Sequence, residues 1–357
     1  MTPPLVAVTM GDPAGIGSEI IVRAFADPDF RSENRVLVVG DAGILERAAR
    51  LLELPLRANA IAEPEEATFV PGTVDVLTET DLPGDLPFGE LDARAGDAAF
   101  RYVQKATNLA SAGRVAAIAT APLNKEAMHL AGHRYPGHTE ILADLTGTKD
   151  YAMMLVTDEL KVIHVSTHVS LREAIERARP ERELAVIRLA HESLRKLGFD
   201  RPRIAVAGLN PHAGENGLFG TEDAEQIAPA VAAAVEEGMD ATGPHPPDTV
   251  MMRARMGVFD VVVVQYHDQG HIPVKLMGFD TGVNVTVGLP FFRTSVDHGT
   301  AFDIAGTGKA EPASRARPRP HPRGGRDEEL REVRGTLVGD EQYDTCKIAV
   351  PGRPKLR

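Results

Sequence analysis

Short runs of β-branched residues alternate along the chain with longer stretches in which apolar residues recur at helical spacing. "PLVAVTM", "RVLVVG", "RVAAIAT", "LKVIHVS", "RIAVAGLN" and "DVVVVQY" predict strands, since a continuous apolar run of that length suits a strand covered on both faces. "SEIIVRAFA", "AGILERAARLL", "PERELAVIRLAHESLRKLG" and "DAEQIAPAVAAAVEEG" predict helices. Their alternation predicts a mostly parallel α/β sheet. No internal repeat of solenoid length breaks it. After Lys309 the pattern changes. "EPASRARPRPHPRGGRDEEL" alternates Arg with Pro, and proline fits neither a helix interior nor a central strand.

Composition adds bounds. The chain has 357 residues, enough for two domains with a core each, and 43% hydrophobic with 25% charged residues is ordinary for a globular protein. A net charge of -12 argues against a general nucleic-acid or anionic-membrane binder, which needs a basic surface. An anionic small substrate would need a local basic pocket instead. The single cysteine, Cys346, cannot form an intramolecular disulfide. The start "MTPPLVAVTMGDPAG" lacks the regions of a signal peptide, and no apolar stretch approaches the roughly 18 residues of a membrane helix. A cytoplasmic protein is expected.

The strands end in unusual chemistry. "LKVIHVSTH" puts His168 just past one strand, "RIAVAGLNPH" puts His212 three residues past another, and "VVVVQYHDQGH" does the same with His267. The carboxyl ends of parallel strands form one rim, so three imidazoles can converge there and leave a divalent ion an open position. Each histidine taken alone is also a plain loop residue. His271 and His164 compete for ligand roles on spacing, and the alternation of His164 with Ser166 favours a core or supporting use. "GHTE" places His138 and Thr139 after a glycine, as ligand donors or with Thr139 as the N-cap of "EILADL". Lys275, Asn284 and Arg293 stand in an otherwise apolar segment, where a cation wants an anion, either a ligand or an intramolecular carboxylate. "MGDPAGIGSEI" is only loosely like a phosphate loop, its spacing GxxxGxG matching neither common fingerprint.

Together "GDPAGIGSE", "APLNKEAM", "GHTE", "STHVSLREA", "GLNPHAGE", "YHDQGHIPVKL" and "GVNVTVGLPFFRTSVDHGTAFDIAG" resemble the 4-hydroxythreonine-4-phosphate dehydrogenase family of pyridoxal phosphate biosynthesis, with its relatives acting on 4-phospho-D-threonate or 4-phospho-D-erythronate. The resemblance runs from about residue 5 to 310. It implies two α/β/α domains with a cleft between them, as in the isocitrate and isopropylmalate dehydrogenases, covering 1–125 plus 290–310 on the cofactor side and 126–289 on the metal and substrate side. It also implies a homodimer whose subunits share active sites. By the same resemblance, His168, His212 and His267 are ligands of a divalent metal (zinc, or magnesium, manganese or cobalt). His138, Thr139, Lys275, Asn284 and Arg293 contact a small phosphorylated substrate, and Asp248 and Lys275 are catalytic. Ser295, Val296, Asp297, His298, Gly299 and Thr300 bind NAD, with NADP as an alternative. Asp248 is equally a turn or cap residue after two prolines.

The reaction implied is oxidation of the substrate's 3-hydroxyl followed by decarboxylation. "QGHIPVKL" is closer to the threonate and erythronate branch. A metal-dependent aldolase or hydrolase would use the same histidines without a nicotinamide, but would not require "SVDHGTAFDIAG". The family closes with an amphipathic helix soon after "GTGKA". Residues 311–357 are Arg- and Pro-rich with no apolar period until "KIAV", text that a shifted reading frame would produce, so they are expected to be disordered, and an inactive binding protein or damaged enzyme is the third possibility.

Overall fold

The computed structural model describes residues 3–278, 282–295 and 299–310. The expectation of a disordered tail over 311–357 lies outside them. By contact the described residues fall into two compact units, one up to Thr148 together with the segment from Leu289 to residue 310, the other Lys149–Gly288.

The first unit runs β1 (Leu5–Thr9), α1 (Gly17–Ala26), α2 (Pro28–Glu33), β2 (Arg35–Gly40), α3 (Ala42–Leu51), β3 (Arg57–Ile61), β4 (Thr73–Thr78), α4 (Ala93–Ser111), β5 (Ala117–Thr120), α5 (Lys125–Leu130) and α6 (His138–Thr146). The second runs β6 (Ala152–Val156), β7 (Lys161–His164), α7 (Leu171–Arg177), α8 (Pro180–Lys196), β8 (Arg203–Ala207), α9 (Ala228–Glu236), β9 (Asp240–His245), α10 (Pro247–Arg255), β10 (Val261–Val264), α11 (His267–Gly278) and β11 (Val283–Val287). The chain then returns to the first unit as β12 (Phe292–Ser295).

In the first unit the strand order is β3-β4-β2-β1-β5-β12, parallel throughout. Its inner strands are buried on both faces, which is why "RVLVVG" reads as an unbroken apolar run. Their core takes in Val8, Leu37, Val76, Tyr102 and Ile118. In the second unit the order is β11-β6-β7-β10-β8-β9. There β7, β10, β8 and β9 are parallel, while β6 is antiparallel to both β7 and β11. Leu155, Val162, Ala205, Val250 and Val264 form part of its core. The α/β class is as expected from the sequence.

The division differs from the expected one at 125/126. Helix α6 belongs to the first unit because Ile141 and Leu142 are wholly buried in the core that also holds Val103 and Ala106 of α4. Among the described residues no helix is long and apolar enough to cross a membrane.

Candidate functional site

In the first unit, β12 lies beside β5 with Arg293 opposite Ile118 and Ser295 opposite Thr120. Arg293 is buried, and its Nε and Nη2 donate to Thr120 Oγ1 at 3.2 and 2.7 Å. Burial pulls the guanidinium down to about 9, opposed by the carboxylate of Glu140, so it stays charged at neutral pH. Glu140 therefore supplies part of the intramolecular partner that the sequence left open. His138 opens α6 with Nε2 buried and without a hydrogen-bond partner. Its pKa lies well below the ordinary histidine value, first through burial and then through the charge of Arg293. The arrangement is a buried cation beside a neutral imidazole. A desolvated cation of this kind holds an anion firmly, since little water competes. Thr139 is not the cap: Gly137 holds that position and makes no side-chain capping bond, and Thr139 falls within the helix.

Ser295 and Thr300 are mostly buried in the same unit, whereas Val296, Asp297 and His298 lie outside the described residues. The Thr300 carbonyl accepts from the Ile16 amide at 3.2 Å, and a Cβ on Gly15 would stand 3.1 Å from Thr300. Gly299 precedes this contact. The "GDPAGIGSE" turn is thus packed against the expected cofactor segment. Its carboxylates are turned inward, onto the chain's own amides. Glu19 accepts from the amides of Gly306 and Gly308 at 2.6 and 3.1 Å, and Arg23 donates to the Gly308 carbonyl at 2.6 Å. Asp12 is wholly buried and accepts from the Ala14 amide at 2.8 Å, and burial raises its pKa to about 6. Sequence reasoning missed both acids, although they stand in the quoted motif.

In the second unit the three histidines follow adjacent parallel strands: His168 comes after β7, His267 after β10 and His212 after β8. The His168 and His267 ring centroids are 5.7 Å apart. Both line a cavity of about 590 Å³ with Thr167, Tyr266, Asp268 and Glu173. Two imidazoles at that separation fit one divalent ion with respect to donor chemistry. The third expected ligand does not join them. Among the described residues no group of three His, Cys, Asp or Glu side chains converges as a metal would require. The reason is local. Residues His212–Asn216 all have positive φ, from 42° to 81°. This loop keeps the His212 ring edge-on to Phe219, with Nδ1 2.9 Å from Glu215 Oε2. Its base is fixed by Asp223, which accepts from the Leu209 and Asn210 amides at 2.7 and 3.1 Å.

His267 lies with Nδ1 2.7 Å from Asp268 Oδ1, and its ring stacks on His271 at 3.6 Å and 9°. His271 is 4.8 Å from His164, which is wholly buried, donates from Nδ1 to the Met153 carbonyl at 3.1 Å and is pushed down to about 3 by burial. The core role expected of His164 matches this. His267, His271 and Lys275 recur every fourth residue and so share one face of α11, on which Lys275 is exposed. Asn284 is buried in β11 with an unpartnered Oδ1. Asp248 is an exposed carboxylate in the first turn of α10; the cap position is Pro246 and no side chain makes a capping bond there, so Asp248 is not the cap.

Comparison with known families now adds a decisive observation. Residues 32–317 match the model of the family described as pyridoxal phosphate biosynthetic protein PdxA. The chain belongs to this family. A D-threonate 4-phosphate dehydrogenase of Pectobacterium atrosepticum is 54% identical over 314 residues, covering 87% of this chain and 96% of its own. A 4-hydroxythreonine-4-phosphate dehydrogenase of Beijerinckia indica is 53% identical over 309 residues, 86% of this chain and 91% of its own. The crystal structure of the Klebsiella pneumoniae 4-hydroxythreonine-4-phosphate dehydrogenase has a TM-score of 0.82 at 56% identity, covering 86% of this chain and 95% of that one. PdxA relatives are thus named as dehydrogenases, and the chain is an enzyme with their α/β fold.

Proposed function

We propose that the chain catalyses NAD-dependent, divalent-metal-dependent oxidation of the 3-hydroxyl of a 4-phosphorylated four-carbon hydroxy acid, followed by decarboxylation. The observation carrying this reading is the row of strands β7, β10 and β8 leading to His168, His267 and His212, in a chain whose relatives are named for 4-phosphorylated substrates. When bound, a divalent ion held by His168 and His267, the pair that lines one cavity, would supply Lewis acidity at the substrate oxygen, and NAD would supply the hydride acceptor.

The chain's own groups do the rest. Arg293 binds an anionic group where burial excludes competing water. Neutral His138 exchanges a hydrogen bond with the same ligand without adding charge, and Thr139 and Asn284 orient it. Asp248 accepts the hydroxyl proton as the hydride departs, leaving a β-keto acid. Lys275 holds its positive charge against the substrate carboxylate until carbon dioxide leaves, and the bonding pair then moves toward the keto oxygen. Ser295 to Thr300 are assigned to the cofactor.

A homodimer with shared active sites is part of the proposal. Exposed apolar residues pair at helical spacing in the second unit, as Leu171 with Ile175, Met252 with Met256 and Ile272 with Leu276, and apolar surface of that extent suits a partner. The single cysteine suits the cytoplasm.

The test is a panel of 4-phosphohydroxy-L-threonine, 4-phospho-D-threonate and 4-phospho-D-erythronate with NAD and zinc, magnesium, manganese or cobalt, following reduced cofactor. One of the three is expected to turn over. If NAD is not reduced in any combination, the reading fails.

A further inference from the structure

In the first unit the chain leaves β1 for β2 on one flank and later returns to β5 on the other, so the strand order reverses between β1 and β5. Ligands of open parallel sheets bind in the crevice at such a reversal, outside the carboxyl ends of the strands. Two loops bound it, 10–16 after β1 and 121–124 after β5, and they close on each other. The Asp12 amide donates to the Pro122 carbonyl at 2.8 Å, and a Cβ on Gly11 would stand 2.2 Å from the same oxygen.

Asp12 stands in the first of these loops with no exposed surface. Its Oδ1 accepts from the Ala14 amide at 2.8 Å, and its Oδ2 is buried without a hydrogen bond. The amides of Ala14 and Asn124 favour the ionised form, but burial outweighs them, and the side-chain charge that acts on Asp12, that of Asp92 at the N-cap of α4, is also negative. With its pKa at about 6, Asp12 is nonetheless ionised at neutral pH. The alternative is a structural staple, since an Asp side chain that bonds the amide two residues on closes a turn. An asparagine would close the same turn without a buried charge, because its amide oxygen accepts equally. The staple therefore accounts for the bond to Ala14 and leaves the charge unexplained.

We propose that Asp12 is a specificity-determining residue for the oxidation state of the cofactor, its negative charge favouring the cationic nicotinamide ring of NAD over the neutral ring of NADH. The inference rests on the NAD-dependent reading above. The segment assigned to the cofactor packs on this same turn, with the Thr300 carbonyl 3.2 Å from the Ile16 amide and Thr300 3.1 Å from a Cβ built on Gly15. A charge acts through a poorly screened interior without touching its partner, so a buried Asp12 needs no contact with the ring. Hydride transfer removes the positive charge of the ring. Asp12 then has no counter-charge to attract, and its hold on the reduced cofactor is the weaker one.

The experiment measures binding of NAD and of NADH, each alone, by calorimetry on the full-length protein and on Asp12→Asn, at pH 8 and pH 5.5. At pH 8 the exchange is expected to weaken NAD binding roughly tenfold and to leave NADH binding unchanged. The melting temperature should not fall, since the amide keeps the bond to Ala14 and the buried charge is gone. In the unaltered protein the preference for NAD over NADH should decline at pH 5.5 as Asp12 takes up its proton, and the variant should show the smaller preference at both values. Glu19 on α1, Asp92 and Tyr102 on α4, Asp41 after β2 and Lys125 beside Asn124 are common to both proteins, so the difference between them belongs to Asp12. A ratio of affinities that the exchange leaves unaltered overturns the proposal, whether both fall together, as for a structural residue, or neither moves. A ratio independent of pH in the unaltered protein overturns it without recourse to the variant. If the unaltered protein binds neither NAD nor NADH, the NAD-dependent reading itself fails and this inference with it.

Discussion

Arg293 and Glu183 are both buried, and opposite reasons make each informative. Arg293 keeps its charge in a desolvated place beside a neutral His138. Replacing it with Met is expected to raise KM for the phosphorylated substrate far more than KM for NAD, because a charge-assisted contact of this kind is worth about 2–5 kcal/mol. Equal effects on the two constants would mean that the cation is structural. The same change removes one cause of the low His138 pKa, so that pKa should rise, as NMR titration would read. Glu183 on α8 has one carboxylate oxygen without a partner, and burial pushes its pKa up to about 8. The folded state thus holds a proton that the unfolded chain releases near the ordinary value of 4.5. The resulting stability is complete below that value and is lost as pH rises through about 8. Glu183→Gln should therefore be more stable than the parent above pH 8, by on the order of a few kcal/mol at about 1.4 per pKa unit, with a much smaller difference at pH 4. Urea titrations at the two pH values would show parallel curves if Glu183 were ionised throughout. Neither residue's setting could be read from sequence. "PVKLMGFDTGVNVTVGLPFFRTS" marked Arg293 as an isolated cation, but only β12 lying beside β5 reveals Thr120 as its partner.

Continuous apolar runs were the legible elements. β2 and β10 appear where "RVLVVG" and "DVVVVQY" predicted them, since short, valine-rich apolar runs suit strands buried on both faces. β6 and α11 were not anticipated. β6 is antiparallel to both neighbours, outside the alternation that defined the rest. α11 contains Pro273 and two glycines, a composition that argues against a helix. The histidine row was legible as far as the rim, because strand ends set it. The distance from His212 to the other two was not, because it depends on the left-handed run His212–Asn216. Non-glycine residues in that conformation cost roughly 1–2 kcal/mol each. Ala213, at φ 56°, has no side-chain hydrogen bond to compensate. Ala213→Gly is accordingly expected to stabilise the protein by about 1 kcal/mol in chemical denaturation. If stability falls instead, the Ala213 side chain contributes packing that outweighs the strain.

At the scale of the whole molecule, the exposed apolar pairs on α7, α10 and α11 bear on assembly. On the proposed homodimer, replacing Met252 and Met256 together with Lys should shift the mass seen by light scattering from dimer to monomer and lower activity with it, since shared active sites require the partner. A dimer that survives the change would put the contact elsewhere. The return of the chain to the first unit as β12 matters in a different way. The second unit is one uninterrupted stretch, whereas the first is complete only when residues beyond 288 rejoin it. A ribosome delivers these parts in order. The edge of β5 therefore emerges with its backbone groups unpaired and waits through the synthesis of the whole inserted unit before β12 arrives, as Glu19 waits for Gly306 and Gly308. A nascent chain stopped at residue 288 should accordingly protect Lys149–Gly288 from protease while the earlier segment is still cut, the reverse of N-terminal-first folding. The cell then faces a long interval with an open sheet edge, and the time to translate the insert becomes a determinant of how much of this enzyme is recovered soluble.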